Sequence, residues 1–174
     1  MRVFIAIEVP EDVKNYLEKM QQQLPKGKLR LVKSFHLTLK FLGEITPDKV
    51  ERIKQLLGNV KFEKFAAETS SMGIFPSENY IRVIWIGLEP EELILQLQRQ
   101  VENALADEFK KERGFKTHLT LARVKYVDDK KEFAQELKKI KTERVKFIVE
   151  SFKLKKSTLT GEGPVYEDLA VFTP

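Results

Sequence analysis

The tetrapeptide His36-Leu37-Thr38-Leu39 occurs a second time, as His118-Leu119-Thr120-Leu121, 82 residues further along the 174-residue chain. The two copies contain the only two histidines of the sequence. In an extended strand successive side chains alternate between faces, so each histidine shares a face with its threonine and the leucines occupy the other face. Each copy therefore predicts a strand that buries two leucines and presents an imidazole beside a hydroxyl.

The similarity between the two halves extends beyond these tetrapeptides. Residues 2–10 (RVFIAIEVP) align with residues 82–90 (RVIWIGLEP), and Phe65 stands 82 residues before Phe147. Both aligned segments are followed by an acid-led helical pattern. The chain thus consists of a strand–helix–strand–helix–strand unit present twice, with internal repeats at roughly 1–79 and 80–174.

Apolar spacing and turn residues predict the elements of each repeat. The predicted helical core positions are Val13, Leu17, Met20 and Leu24 in a helix over about 11–24; Val50, Ile53, Leu57 and Val60 after Thr46-Pro47; Leu93, Leu97, Val101 and Leu105; and Phe133, Leu137 and Ile140 after Asp128-Asp129. The predicted strands cover 2–7, 36–42, 65–75, 80–88, the second HLTL segment after Gly114, 145–157 and 165–172. Two copies are too few for a solenoid. We therefore expect an α+β fold, a single bilobal domain over 1–174 in which two pseudo-symmetric lobes with largely antiparallel sheets flank a central cleft.

Composition narrows the possible classes of function. The net charge of +5 and pI near 9.2 are compatible with an anionic partner, although a modest positive balance is weak evidence alone. The absence of cysteine excludes disulfides, thiolate metal sites and a cysteine nucleophile. The apolar stretch at residues 3–7 is too short for a signal-peptide core or a membrane span, so we expect a cytoplasmic protein without a membrane partner.

Paired histidines and threonines suit a particular chemistry. With an ordinary pKa near 6.5, one histidine can accept a proton while the other donates one. Two threonine hydroxyls can donate hydrogen bonds to phosphoryl oxygens, which gather charge during an in-line displacement. The arrangement predicts a phosphodiester reaction by acid–base catalysis, with no covalent intermediate required.

Three other interpretations compete with this one. A single HLTL stretch is more often a structural strand than a site, but residues 33–35 and 115–117 have diverged while both histidines and both threonines are kept. A metal site lacks the carboxylate that usually supports histidine ligands, with neither HExxH nor an acid inside the motifs. A serine hydrolase is not supported, because there is no GxSxG elbow and Ser34 has no evident triad partners.

The two HxTx motifs, about 80 residues apart, resemble those of the 2H phosphoesterases. The resemblance covers almost the whole chain and includes HLTLKFLGE, GIFP, HLTLARVK, Ser157 and residues 163–166 (GPVY). This combination is similar to the RNA 2′,3′-cyclic phosphodiesterase branch, also called 2′-5′ RNA ligase-like proteins. Lys116-Thr117 stands where many members have a proline before the second histidine, a departure that leaves the motif intact.

The resemblance implies hydrolysis of a terminal 2′,3′-cyclic phosphate on RNA to a 2′-phosphate, without a metal or another cofactor. By similarity, His36 is the proton donor, His118 the proton acceptor, and Thr38 and Thr120 hold the phosphate. The symmetry of the repeat leaves the division between acid and base open when the residues are considered alone. The implied partners are RNA ends with a 2′,3′-cyclic phosphate, such as tRNA fragments, and nucleotides, bound by a monomer. The alternatives are a ligase that joins such an end to a 5′-hydroxyl, and a non-catalytic RNA-binding module.

Four further residues are candidates for substrate binding. Phe41 and Arg123 each lie five positions after a histidine, which places them on the leucine face if the strands are regular; the resemblance favours a phosphate contact for Arg123 and a weaker role for Phe41. Lys40 is expected on the His36 face, where it could contact the RNA backbone or remain solvated. Tyr166 could reach the cleft from the closing strand.

Overall fold

The computed structural model describes all residues, 1–174, as four helices and nine strands. The helices are α1 (Glu11–Gln22), α2 (Pro47–Leu57), α3 (Glu91–Ala104) and α4 (Lys130–Lys139). The strands are β1 (Arg2–Glu8), β2 (Lys28–Leu31), β3 (His36–Glu44), β4 (Phe65–Ser77), β5 (Tyr80–Glu89), β6 (His118–Tyr126), β7 (Lys146–Val149), β8 (Phe152–Thr160) and β9 (Gly163–Phe172). Two predicted N-caps are present: the Thr46 side chain accepts a hydrogen bond from the Lys49 amide, and Asp129 accepts one from the Glu132 amide.

The strands form two antiparallel sheets, one in each lobe. Lobe 1 contains the sheet β3-β1-β8-β9 and lobe 2 the sheet β2-β6-β5-β4-β7. Every strand pair is antiparallel. The predicted α+β fold with two pseudo-symmetric lobes is therefore confirmed.

Each repeat contributes two strands to the lobe of the other repeat: β2 and β4 lie in lobe 2, and β8 and β9 lie in lobe 1. β4 of the first repeat pairs with β5, and β8 of the second repeat pairs with β1. The first part of β4 also pairs with β7, where Ala67 faces Phe147. The predicted match between the regions of Phe65 and Phe147 corresponds to these segments, with one continuous strand in the first repeat and two strands, β7 and β8, in the second. This exchange explains why no linker separates the repeats.

The helices also connect the lobes. α1 packs against β6 of lobe 2, and α3 packs against β3 of lobe 1. One continuous cluster of buried apolar side chains contains Leu37 and Leu39 from the first motif and Leu119 and Leu121 from the second. Because these four leucines are buried in one core, the opposite faces of β3 and β6, which carry the histidines and threonines, point away from that core.

Three details differ from the sequence-based expectations. The short edge strand β2 was not predicted, and α1 ends at Gln22 rather than near residue 24. Leu93 is exposed, while Ile94 is buried, because the side of α3 that meets the core passes through Ile94, Leu97 and Val101. None of the helices is long and apolar enough to cross a membrane.

Candidate active site

The two HLTL motifs begin adjacent strands of the two lobes. Cα atoms of β3 and β6 approach within 8 Å of one another. Each motif strand pairs with the first strand of its repeat: His36 faces Glu8 on β1, and His118 faces Gly87 on β5. Both histidines and both threonines are half-buried, whereas the alternating leucines are fully buried. The predicted division of each motif into a polar and an apolar face is therefore present in both lobes.

A β-bulge follows the threonine in each motif strand. Along β3, Thr38 pairs with Ala6 and Lys40 pairs with Ile5, so Leu39 has no partner of its own. β6 has the same irregularity between Thr120 and Ala122. A bulge inserts one residue and reverses the side-chain alternation beyond it. Both strands consequently have the same burial pattern, and the regular-strand assumption used for positions four and five after each histidine is wrong.

Lys40 is the expectation that this bulge overturns. Its side chain is 3% exposed and points into the protein, where its ammonium pairs with Glu102 of α3 at 2.9 Å and donates to the Lys110 carbonyl at 2.9 Å. Gln98 and the Glu112 amide donate to the same Glu102 carboxylate. Lys40 therefore ties β3 to α3 and to the loop before β6, and its buried ammonium is not accessible to an RNA backbone.

Phe41 and Arg123 move to the cleft side for the same reason. Phe41 is 61% exposed, with its ring 6.0 Å from that of Phe4 on the face that carries His36. Arg123 is exposed on the face of His118 and Thr120. At equivalent positions the two lobes thus present an aromatic ring and a guanidinium group.

Tyr166 of β9 lies beside His36 of lobe 1 and near enough to Arg123 of lobe 2 to be affected by its charge. Its ring meets His36 edge-on, with 5.1 Å between ring centroids. Burial raises the pKa of Tyr166, while the positive charges of Arg123, Arg2 and Lys155 oppose the rise. Arg123 belongs to lobe 2 and Tyr166 to lobe 1, so charged and polar groups of the two lobes lie close enough here to act on one another.

His36 lies in a buried environment beside a charge network. Phe4 packs at 5.0 Å from its ring, and its Nδ1 atom is buried without a hydrogen-bond partner. Burial lowers the pKa of His36 to about 4; the positive charge of Lys155 acts in the same direction, and the negative charge of Glu8 opposes both. In the ligand-free protein His36 is therefore neutral at pH 7.

The neighbouring network joins two lysines and two carboxylates. Lys153 donates to Glu8 and Asp168 at 2.7 Å each, and Lys155 donates to the same two carboxylates. Burial alone would raise the pKa of Glu8 and of Asp168, but these hydrogen bonds lower both pKa values below the usual range. Glu8 and Asp168 are thus charged at neutral pH, and their ion pairs with the two lysines lie beside His36.

His118 lies against an aromatic wall. Its Nδ1 atom is 2.7 Å from the Lys116 carbonyl, and its ring meets Phe75 edge-on at 5.0 Å. Trp85 packs on Phe75 at 4.9 Å, and a Cβ atom on Gly73 would lie 2.2 Å from the indole, so the tryptophan requires a glycine there. Burial lowers the pKa of His118; the hydrogen bond to the Lys116 carbonyl opposes this shift, and Arg123 adds to it.

Several of these neighbours were not identified from the sequence. Phe4, Glu8 and Lys155 become neighbours of His36 only through strand pairing, and Phe75 and Trp85 become neighbours of His118 in the same way. No group of three or more His, Cys, Asp or Glu side chains is arranged to hold a metal ion.

One His-x-Thr strand in each of two lobes is the arrangement expected of a two-histidine phosphoesterase, and comparison with known proteins identifies the family. A family model for LigT-like phosphoesterases matches residues 7–85 and again residues 86–166. The chain belongs to this family, also known as the 2H phosphoesterases.

Relatives and solved structures resemble the chain over nearly its full length. A Methanocaldococcus jannaschii protein named RNA 2′,3′-cyclic phosphodiesterase is 38% identical over 171 residues, which cover 96% of this chain and 97% of that protein. An Archaeoglobus fulgidus protein of the same name is 34% identical over 177 residues and 99% of both chains. A Thermus thermophilus structure has a TM-score of 0.81 with 28% identity, covering 99% of this chain and 97% of its own. Escherichia coli LigT in apo form, with a TM-score of 0.80, 23% identity and coverage of 99% and 96%, shares the fold.

Proposed function

We propose that the protein hydrolyses the terminal 2′,3′-cyclic phosphate of RNA to a 2′-phosphate by metal-independent acid–base catalysis with two histidines. The observation that carries the proposal is that two His-x-Thr strands, one in each lobe and each with a bulge after its threonine, lie close together. Relatives that match almost the whole chain are named for this activity. In this proposal both histidines come from one bilobal domain formed by residues 1–174, so a monomer suffices. An RNA substrate also supports the predicted cytoplasmic location.

His118 serves as the base. A carbonyl oxygen can only accept a hydrogen bond, so the short contact with Lys116 places the proton on Nδ1 and leaves the Nε2 lone pair free. Because burial lowers its pKa, the ring is neutral at pH 7 and ready to accept a proton. Nε2 takes a proton from water as the water oxygen attacks phosphorus.

His36 serves as the acid. Its low pKa in the ligand-free protein rises when a phosphodiester anion binds, since a nearby negative charge favours the imidazolium. As the bond between phosphorus and the ribose 3′-oxygen breaks, His36 donates its proton to that oxygen. The net reaction consumes one water, leaves a 2′-phosphate and a 3′-hydroxyl, and returns the protein after proton exchange with solvent.

Other groups of the cleft hold the substrate. The Thr38 and Thr120 hydroxyls donate to the phosphoryl oxygens, and Arg123 supplies a guanidinium for the phosphate. The exposed ring of Phe41 offers a surface on which a nucleobase can stack. The Tyr166 ring lies edge-on to His36, and its hydroxyl can contact the same phosphate or its ribose.

Incubation with an RNA ending in a 2′,3′-cyclic phosphate tests the proposal. We expect ring opening to persist in EDTA and to fall on the order of 10²–10⁴-fold in His36→Gln and in His118→Gln, the usual contribution of general acid–base catalysis. Arg99→Gln, which removes an exposed side chain paired with Glu92, is the control. Addition of a 5′-hydroxyl RNA separates hydrolysis from ligation, because a ligase would give a longer product. If the wild type binds the RNA but opens no ring, the protein is a binding module and the proposal fails.

A further inference from the structure

Two arginines lie directly opposite one another beside the proposed site. In the register of β2 with β6, Arg30 faces Arg123. Residues directly opposite on antiparallel strands project to the same face, with Cβ atoms about 5 Å apart. Both arginines are exposed. Arg30, on the edge strand β2, therefore lies on the same face of the sheet as Arg123 and the other cleft-facing side chains of β6.

This pairing is unfavourable unless an anion neutralises it. Like charges directly opposite on neighbouring strands destabilise a sheet. The arginines that form salt bridges are Arg52, Arg99 and Arg144, so neither Arg30 nor Arg123 has a carboxylate partner. Two uncompensated guanidinium groups at the rim of a phosphate-binding cleft point to a ligand with more than one negative charge.

The strand that carries Arg30 is held in place by both lobes. The buried Gln21 side chain donates to the carbonyls of Val32 and Leu121, which fixes the end of β2 at the bulge of β6. Lys33, just beyond β2, donates to the Glu162 carbonyl in the turn between β8 and β9 of lobe 1. The backbone that carries Arg30 is consequently held at a fixed place beside β6.

A glycine makes room for that guanidinium. Arg30 Nη2 lies 3.1 Å from where a Cβ atom on Gly163 would be, and Gly163 has a positive φ of 116° that favours glycine. Gly163 begins β9, the strand that places Tyr166 against His36. Arg30 thus lies at the junction of the lobes, next to the strands that carry Arg123 and Tyr166.

We propose that Arg30 binds the next phosphate of the RNA chain, the internucleotide phosphodiester preceding the terminal nucleotide, while Arg123 serves the terminal cyclic phosphate. The inference rests on the proposed function, because that function places the terminal phosphate beside the histidines. It makes the preferred substrate an oligonucleotide rather than a nucleoside 2′,3′-cyclic phosphate. Phe41, on the opposite motif strand, remains available for a base.

The test compares two dinucleotides that end in a 2′,3′-cyclic phosphate, one with an ordinary internucleotide phosphate and one with a neutral methylphosphonate in its place. The ratio of their kcat/KM values measures recognition of that charge. We expect Arg30→Gln to lower the ratio about tenfold, the usual effect of one charge-assisted hydrogen bond. Arg99→Gln removes the same charge from an exposed position on α3 and should keep the wild-type ratio. An unchanged ratio in Arg30→Gln, or an equal fall in Arg99→Gln, overturns the inference.

A binding measurement separates this inference from the proposed function. Trp85 is the single tryptophan of the chain and lies beside His118, so its fluorescence reports binding at the cleft. Titration with the 2′-phosphorylated forms of the two dinucleotides requires no turnover. We expect Arg30→Gln to weaken binding of the charged form about tenfold relative to the neutral form. If wild type hydrolyses neither cyclic substrate, the proposed function fails, and the titration still decides whether Arg30 recognises the second phosphate.

Discussion

The low pKa of His36 predicts an acid-sensitive contribution to stability that a single substitution should remove. Folding lowers this pKa from about 6.5 to about 4, mainly because the ring is buried and Lys155 lies near it. The unfolded chain therefore binds more protons at this residue than the folded protein between these two pH values. The contribution is fully present above pH 6.5 and is lost as pH falls through 4.

The size of the effect follows from the shift. A change of this size corresponds to about 3 kcal/mol of unfolding free energy. We expect wild type to lose about 3 kcal/mol more than His36→Gln when the pH falls from 7 to 4. The pKa values of Glu8 and Asp168 are also lowered, so protonation of these carboxylates reduces the unfolding free energy in acid. This reduction occurs in both proteins and cancels to first order when wild type is compared with His36→Gln.

Guanidinium denaturation followed by circular dichroism at pH 7 and pH 4 measures this double difference. His118→Gln is the matched control, because burial lowers the pKa of His118 in the same direction but by less. It should produce a smaller change of the same sign. Equal acid losses in wild type and His36→Gln would refute the described environment of His36.

Three further predictions concern activity and packing. The plot of kcat/KM against pH should be bell-shaped, with one limb from the titration of each histidine in the free enzyme. Because burial lowers the pKa of both histidines, the maximum should lie below pH 6.5. A maximum above pH 7 would contradict the assignment. Phe41→Ala should raise KM about fivefold or more, since stacking of a base is worth about 1–3 kcal/mol, whereas Ile148→Ala, at another exposed apolar position, should leave KM unchanged. Lys40→Met should lower the unfolding free energy by about 3–5 kcal/mol, because it leaves the Glu102 carboxylate buried without its ion-pair partner. The double variant Lys40→Met/Glu102→Met should be less destabilised than Lys40→Met. Urea denaturation measures both values, and a double variant less stable than Lys40→Met would argue against a buried ion pair.

The repeated motif made the fold and the pairing of the two halves predictable. HLTL recurs with the same histidine and threonine, and the segments at residues 2–10 and 82–90 align, so the duplicated unit could be identified without any structure. The placement of β8 in lobe 1 could not, because its pairing with β1 spans more than 100 residues and leaves no local signal. The charge network of Glu8 and the aromatic wall of His118 depend on that pairing.

The apolar pattern of the sequence contains evidence for the two bulges, which the assumption of regular strands overlooks. Leu42 and Val124 lie six positions after the histidines, so regular alternation would place both on the polar face, yet both are apolar and buried. One extra residue after each threonine reconciles the pattern. The same shift buries Lys40 and brings Phe41 and Arg123 to the cleft side, which is why the expectations for these three positions were the least accurate.

The acid role of His36 at the ribose 3′-oxygen is tested most directly by the identity of the product end. Phosphorus NMR of an RNA with a 2′,3′-cyclic phosphate, recorded during incubation with the protein, follows the cyclic signal and the monoester that replaces it. We predict a single new signal from a 2′-phosphate with wild type and a persistent cyclic signal with His36→Gln. A 3′-phosphate, or a mixture of the two monoesters, would show that a different oxygen leaves and would contradict the proposed protonation of the ribose 3′-oxygen.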